Sequence, residues 1–285
     1  MAADAKRVAL VTGCSSGIGE ATALVLGARG FRVYASGRTL AGVQHLHGRV
    51  PRLESIELDV RSDSSIGSAV SQILLESGRI DVLVNNAGLG VLGAAEDLDR
   101  EAWQRQFEVN LFGAAALTRA VLPTMRAQRD GYIVNVSSVA GRVSVPLMGA
   151  YCSSKFALEA FSDALRVESR PFGIKVVVVE PGTTHTKFQE RAMAESSAVL
   201  RKANSIFSPV YKHAFLRYTI PSIGASAEEV ARRIARIVTK RRPAARYRVK
   251  WYDTLSIAMT RILPRRAIDY GVARWVGLDR PPRPK

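Results

Sequence analysis

In the stretch from Tyr151 to Lys155, YCSSK, a phenol and an ammonium stand four residues apart with only small side chains between them. On a helix that spacing stacks both groups on one face. The pair is open to two readings: ordinary surface decoration, or a proton donor whose pKa is drawn down by a neighbouring cation. A second chemical feature is TGCSSGIG, residues 12–19, where Gly13, Gly17 and Gly19 fall in the pattern G-x-x-x-G-x-G between an apolar run and a helical stretch. Glycines there let the backbone turn tightly and approach a pyrophosphate that sits on the positive end of the following helix. Ser15 adds a hydroxyl to that loop. A third feature closes the second apolar run, YASGR. Gly37 stands where an acidic residue would accept from a ribose 2′-hydroxyl, and Arg38 follows. A guanidinium can fork onto a phosphate, so the sequence predicts NADP(H) rather than NAD(H).

These residues need a scaffold, and the sequence supplies one. Apolar, β-branched runs recur as RVALVTG, FRVYASG, LESIELDV, IDVLVNNAG, GYIVNVSS and IKVVVVEPG. Most are almost continuously apolar, as strands covered on both faces are. Helical patterns such as EATALVLGARG lie between them. The alternation predicts an α/β fold: a Rossmann-type, doubly wound parallel sheet with helices on both faces. Residues 187–225 break the rhythm and read as a lid of loop and short helix. A capped helix beginning at Ser226 and a short strand at ARYRV follow. The chain is expected to divide into a dinucleotide-binding catalytic domain over 1–250, lid included, and a basic C-terminal helical extension over 251–285.

The bulk properties bound the rest. With 285 residues, 47% of them hydrophobic and 23% charged, the chain can bury a full core. Two cysteines, Cys14 and Cys152, exclude a disulfide framework and suggest a reducing, cytoplasmic setting. The N-terminus MAADAKRVALVTG shows no leader pattern. The net charge of +16 is concentrated: residues 226–285 hold 16 Lys and Arg against 5 Asp and Glu, a net of +11. No nucleic-acid motif accompanies it, so no nucleic-acid partner is expected. No Cys or His cluster has metal-ligand spacing, so no catalytic metal is expected.

TGCSSGIG, NNAG at 85–88, a serine thirteen residues before Tyr151, Y-x-x-x-K and PG at 181–182 occur in order, and together they resemble the short-chain dehydrogenase/reductase family. The resemblance implies a catalytic tetrad of Asn110, Ser138, Tyr151 and Lys155. Tyr151 would be the general acid and base, Lys155 would stabilise its phenolate and hold the nicotinamide ribose, and Ser138 would hydrogen-bond the reacting oxygen. Asn110 would hold a water linking Lys155 to solvent at a kink in the central helix. The cofactor cleft would be lined by Gly13, Ser15, Ser16, Gly17, Ile18 and Gly19, then Arg38, Asp59 and Val60, then Asn86, Ala87 and Gly88. Tyr151, Lys155, Pro181, Gly182, Thr184 and Thr186 would complete it. In the family stretch P-G-x-x-x-T the place of Thr184 is usually apolar, so its contact stays open here. The resemblance also implies a homodimer or homotetramer formed through the long helices that carry Asn110 and Tyr151.

Substrate choice would lie in the lid, which carries Phe188, Met193, Ile206, Phe207, Tyr211, Phe215 and Tyr218. An apolar, aromatic lid implies a small hydrophobic carbonyl or alcohol substrate. The layout is most similar to hydroxysteroid and retinol dehydrogenases and acyl-dihydroxyacetone-phosphate reductases. A broad-specificity small-ketone reductase and a non-catalytic NADP(H) sensor are the alternatives. From Trp251 onward, apolar residues alternate with Arg261, Arg265 and Arg266. Two placements fit this segment: peripheral contact with a membrane interface, or a helix packed on the domain with a solvated basic face.

Overall fold

The computed structural model describes residues 7–201, 204–211 and 224–280. Seven strands form one parallel sheet: β1 (Val8–Val11), β2 (Arg32–Gly37), β3 (Leu53–Glu57), β4 (Val82–Asn85), β5 (Gly131–Val136), β6 (Ile174–Glu180) and β9 (Arg246–Arg248), in the order β3-β2-β1-β4-β5-β6-β9. A separate two-stranded ladder joins β7 (Thr184–His185) to β8 (Ala225–Ser226). All six apolar runs become strands because they satisfy both faces of the sheet at once. Along β1, Ala9 and Val11 face one core while Val8 and Leu10 face the other. Val33 and Tyr34 divide in the same way on β2, as do Val177 and Val176 on β6. The period-2 alternation of a strand thus turns one continuous apolar run into two packed layers.

The first core lies under α1 (Gly17–Ala28) and α8 (Ala227–Ile237); the second lies under α2 (Asp63–Ser77) and α4 (Gly113–Gln128), with α5 (Gly149–Ser169) beside it. Side chains fix where several helices begin. Ser62 accepts from Ser65 N at 3.2 Å and Asp99, ahead of α3 (Arg100–Phe107), accepts from Ala102 N at 2.7 Å. Ser226 and Glu229 cap each other reciprocally at the start of α8. Between α3 and α4 the helix widens to a π-helical turn over Glu108–Phe112. The chain order reverses between β1 and β4, and the space beyond the C-terminal ends of those strands is the usual ligand position in such a sheet.

Past β6, the β7–β8 ladder brings together the two ends of the lid. Its described part holds α6 (Phe188–Glu195) and α7 (Ser197–Leu200); Phe215 and Tyr218 lie outside the described residues. After β9 come α9 (Trp251–Ile262) and α10 (Arg265–Val276). Among the described residues no helix is long and apolar enough to cross a membrane.

Candidate active site

The glycine loop runs from β1 into α1. Gly13 has φ +70° and Gly17 φ +65°, both in the left-handed region where a side chain is strained. A Cβ at Gly13 would lie 2.9 Å from Ala87 Cα, and one at Gly17 would lie 3.1 Å from Thr186. The loop is therefore a cradle that only glycine leaves open, set at the N-terminus of α1 where backbone N–H groups favour an anion. Thr12 locks it to the next strand: its Oγ1 accepts from Asn86 N and Ala87 N, each at 2.9 Å. The Asn86 amide returns a bond to Thr12 O at 2.8 Å. Ser16 precedes α1, and Ile18 packs against the first core.

Arg38 is exposed just past β2. Hydrogen bonds from Arg61, opposed by burial and aided least by the Arg38 charge, hold the Asp59 carboxyl below the usual range. Arg61 grips Asp59 through Nε at 3.0 Å and Nη2 at 2.6 Å. Val60 packs against Gly113.

The four residues expected to form a tetrad lie close together beyond β4 and β5. Tyr151 and Lys155, one turn apart on α5, are both buried, with Lys155 Nζ 5.9 Å from the centre of the Tyr151 ring. Lys155 Nζ donates to Val136 O at 2.9 Å. Ser138 stands two residues past the end of β5, and its hydroxyl faces the Tyr151 phenol. Ser137 turns the other way, against Gly141 and Glu159, as strand alternation requires. Asn110 sits in the π-helical turn, where its Oδ1 accepts from Leu89 N at 2.8 Å and its Nδ2 donates to Leu89 O and Ser154 Oγ at 3.0 Å each. A Cβ at Gly88 would fall 3.6 Å from Asn110 Oδ1 and 3.9 Å from Lys155 Nζ, so these three residues meet. Asn110 thus fastens the kinked helix to the segment after β4, which places Gly88 over the lysine.

The titration of the pair differs from the expectation that the cation holds the phenol low. Burial dominates both groups. It pushes Tyr151 up to about 12 against a smaller lowering by the Ser138 hydroxyl. It pushes Lys155 down to about 8, partly offset by the negative charge of Glu159. The reason is geometric: the Nζ donates to Val136 O and stands 5.9 Å from the Tyr151 ring centre, while neither side chain has much water around it. As placed, the phenol keeps its proton across neutral pH, which suits an acid.

After β6, Pro181 O accepts from Val139 N at 2.9 Å, which ties the loop to the end of β5. Gly182 packs against the Asp253 carboxylate at the start of α9, a contact no side chain would allow. Thr184 is buried in β7 and donates to Gly182 O at 3.2 Å, so its hydroxyl serves the turn. Thr186 faces the cradle at Gly17. His185 is exposed.

Three contributors were not singled out as site residues from sequence. Phe188, noted only as a lid aromatic, begins α6 and packs on Tyr151 with the rings tilted at 52° and their centres 5.7 Å apart. Arg191, one turn further, donates to Ser15 Oγ at 3.3 Å. One short helix therefore reaches from the phenol to the glycine loop. Its spacing was legible, but its direction depends on the β7–β8 ladder, which joins residues far apart in sequence. Thr12 was quoted within the glycine motif and not singled out; its place directly before Gly13 was the available signal. Around Tyr151, an apolar wall is formed by Val145, Met148 and Phe188, and it continues into a buried cluster of Leu92, Leu147, Val210 and Tyr211.

Fold and cleft together define a class: a Rossmann-type oxidoreductase acting on an alcohol or carbonyl group. The family model for short chain dehydrogenase matches residues 7–197. The chain is similar to retinol dehydrogenase 8 of Bos taurus, 36% identical over 275 residues covering 92% of this chain and 87% of that one. It is 41% identical to 3-ketodihydrosphingosine reductase of Bacteroides thetaiotaomicron over 184 residues, 65% of this chain and 66% of that protein. A short-chain dehydrogenase structure from Streptomyces avermitilis superposes with a TM-score of 0.76 at 31% identity, covering 96% of this chain and 97% of the other. The protein belongs to the short-chain dehydrogenase family. Dinucleotides of the NAD(H) or NADP(H) type are the cofactors of its structural neighbours.

Proposed function

We propose that the protein is an NADP(H)-dependent oxidoreductase that interconverts a ketone or aldehyde and an alcohol on an apolar substrate of steroid, retinoid or long-chain lipid type. The observation that carries the reading is the burial of Tyr151 beside Lys155, with Ser138 facing the phenol and Phe188 and Met148 walling it. A nicotinamide dinucleotide supplies or removes hydride at the substrate carbon. The glycine cradle, Asn86 and Thr186 would hold it, and Arg38 would take its 2′-phosphate. In the reducing direction Tyr151 donates its phenolic proton to the substrate oxygen, and Ser138 donates a hydrogen bond to the same oxygen as charge develops there. Lys155 stabilises the resulting phenolate, and Asn110 keeps the surrounding backbone in place while the proton is replaced from solvent. Oxidation runs these transfers backward. Phe188 and the lid exclude water from the exchange.

Support for the substrate class comes from the apolar wall and from two relatives named for a retinoid and a sphingoid base. Exposed Phe112 and Phe156, beside α4 and on α5, support self-association along those helices as part of the same proposal. The test is NADPH oxidation against retinal, steroid ketones, a long-chain 3-keto lipid and small aryl ketones. Turnover is expected to favour the large apolar carbonyls. Tyr151→Phe is expected to abolish turnover and retain NADPH binding. Equal use of the small ketones would overturn the apolar specificity, and dinucleotide binding with no turnover on any carbonyl would leave a sensor instead of an enzyme.

A further inference from the structure

The C-terminal helices turn an unusual side to water. A surface helix ordinarily buries its apolar stripe and exposes its polar one. In α9 the buried residues are Asp253 and Ile257, whereas Trp251, Leu255, Met259 and Ile262 point outward, with Trp251 and Ile262 each 76% exposed. At about 100° per residue these four fall within an arc of about 80°. The outward side of α9 is therefore a continuous apolar ridge. Tyr270 and Trp275 on α10 are exposed as well. α9 does pack on the domain, through Asp253 and Ile257, but the face it turns to water carries this apolar ridge as well as exposed Arg261.

Exposed Arg261 lies beside the ridge on α9, and α10 carries exposed Arg265, paired with Asp269 at 3.0 Å, Arg266 and Arg274. Residues 226–285 hold 16 Lys and Arg against 5 Asp and Glu. We propose that α9 and α10 form a seat for an anionic lipid surface, with α9 lying in the interface and its arginines at the headgroups. A helix of 12 residues is about 18 Å long, too short to span a bilayer and suited to lie along one. A tryptophan at its start and a basic rim are the features of an interfacial helix. Charge complementarity selects the occupant. A second copy related by a two-fold axis would bring the same basic residues together, and a nucleic acid would leave the apolar ridge in water.

The seat is fixed to the catalytic domain at both ends. Asp253 accepts from Lys250 N at 3.1 Å and packs on Gly182, just past the end of β6. Val276, at the end of α10, is fully buried among Leu92, Leu147, Ala192 and Val210, the cluster beneath the lid. Seating these helices would set the lid at the lipid boundary, where an apolar substrate partitions. That last consequence rests on the proposed substrate class; the seat itself does not.

The test is co-sedimentation of the full chain with vesicles of phosphatidylcholine alone and of phosphatidylcholine mixed with phosphatidylglycerol, at low and high salt. Binding is expected only to the anionic vesicles, to weaken with salt, and to shift tryptophan emission to the blue. Trp251→Glu with Ile262→Glu is expected to weaken binding tenfold or more, since each change removes the burial of a large apolar group. Arg261→Glu with Arg266→Glu is expected to cost at least roughly fivefold per arginine on anionic vesicles. NADPH titration and helix content, unchanged in both variants, establish that the fold is kept; should the first pair fail to fold, the arginine pair carries the test. Failure of the wild type to sediment with anionic vesicles overturns the seat. So does a wild-type oligomer that the ridge variant dissolves with vesicle binding unaltered, which would make the ridge a contact between copies. A chain that binds vesicles yet reduces no apolar carbonyl keeps the seat and removes only the proposed substrate class.

Discussion

At the scale of single residues, the site is a set of opposed burial effects. Lys155 is held near 8 because removing an ammonium from water favours its neutral form, while Glu159, one turn along α5, pulls in the charged direction. Lysine is charged below its pKa, so the cation beside Tyr151 is lost as pH rises through about 8. Reduction is therefore expected to fall on that limb. Glu159→Gln removes the charge that raises Lys155, and leaves Arg246 without that partner, which acts in the same direction. The alkaline limb of kcat/KM is expected to move to lower pH in this variant. A merely structural role for Glu159 would lower the whole profile and leave the limb in place, so the pH profile decides between the two.

At the scale of elements, the short strand β9 does more than extend the sheet. Its Arg246 reaches Glu159 at 2.9 Å, Asp163 at 2.6 Å and Glu180 at 3.4 Å, and Arg248 reaches Glu180 at 2.8 Å. Glu180 is fully buried and Glu159 nearly so. Removing one partner of a buried ion pair leaves an uncompensated charge and costs about 3–5 kcal/mol. Arg246→Met is expected to fall near the lower end, about 3 kcal/mol in urea unfolding at neutral pH, because Arg248 and Arg142 remain. Burial raises the Glu159 pKa above its unfolded value. The folded state therefore binds this proton more readily, and the penalty is expected to shrink as pH falls toward that raised pKa. An equal loss of stability at acid and neutral pH would argue against an unpaired carboxylate. This cluster also marks what sequence reading reached. The six apolar strands and ARYRV were legible because each is a local pattern, and Tyr151 with Lys155 because one helix turn separates them. The grip of Arg246 on α5 joins residues 87 positions apart. No local pattern carries such a pairing, nor the two-residue ladder of β7 with β8, nor the π-helical turn that aims Asn110.

At the scale of the whole molecule, two cations from different elements bear on the expected dinucleotide site. Arg38 stands at the end of β2, and Arg191 reaches down from α6 to Ser15 on the glycine loop. The same short helix is held at its far end by Glu195, 3.5 Å from Arg105 on α3, and at its start by Phe188 on Tyr151. A dinucleotide bound in the cradle would therefore join the β1–β2 side of the sheet to the lid, and ligand binding should register as global stability. A ligand at a hundred times its Kd stabilises the folded state by about 2.7 kcal/mol. At about 2 °C of Tm per kcal/mol, the low end of the range for somewhat smaller domains, the melting temperature is expected to rise by roughly 5 °C. NADPH is expected to raise Tm further than NADH at equal concentration. Arg38→Asp should reverse that order, because a carboxylate there repels the 2′-phosphate and accepts from a 2′-hydroxyl. Arg191→Ala should reduce the shift with both dinucleotides, since the strap onto the loop is lost while Arg38 remains. The measurement is a thermal melt of the three proteins with each dinucleotide. Equal shifts with NADPH and NADH, unaltered by Arg38→Asp, would remove the phosphate from the role of Arg38. A full shift in Arg191→Ala would show that the lid contact adds nothing to dinucleotide binding.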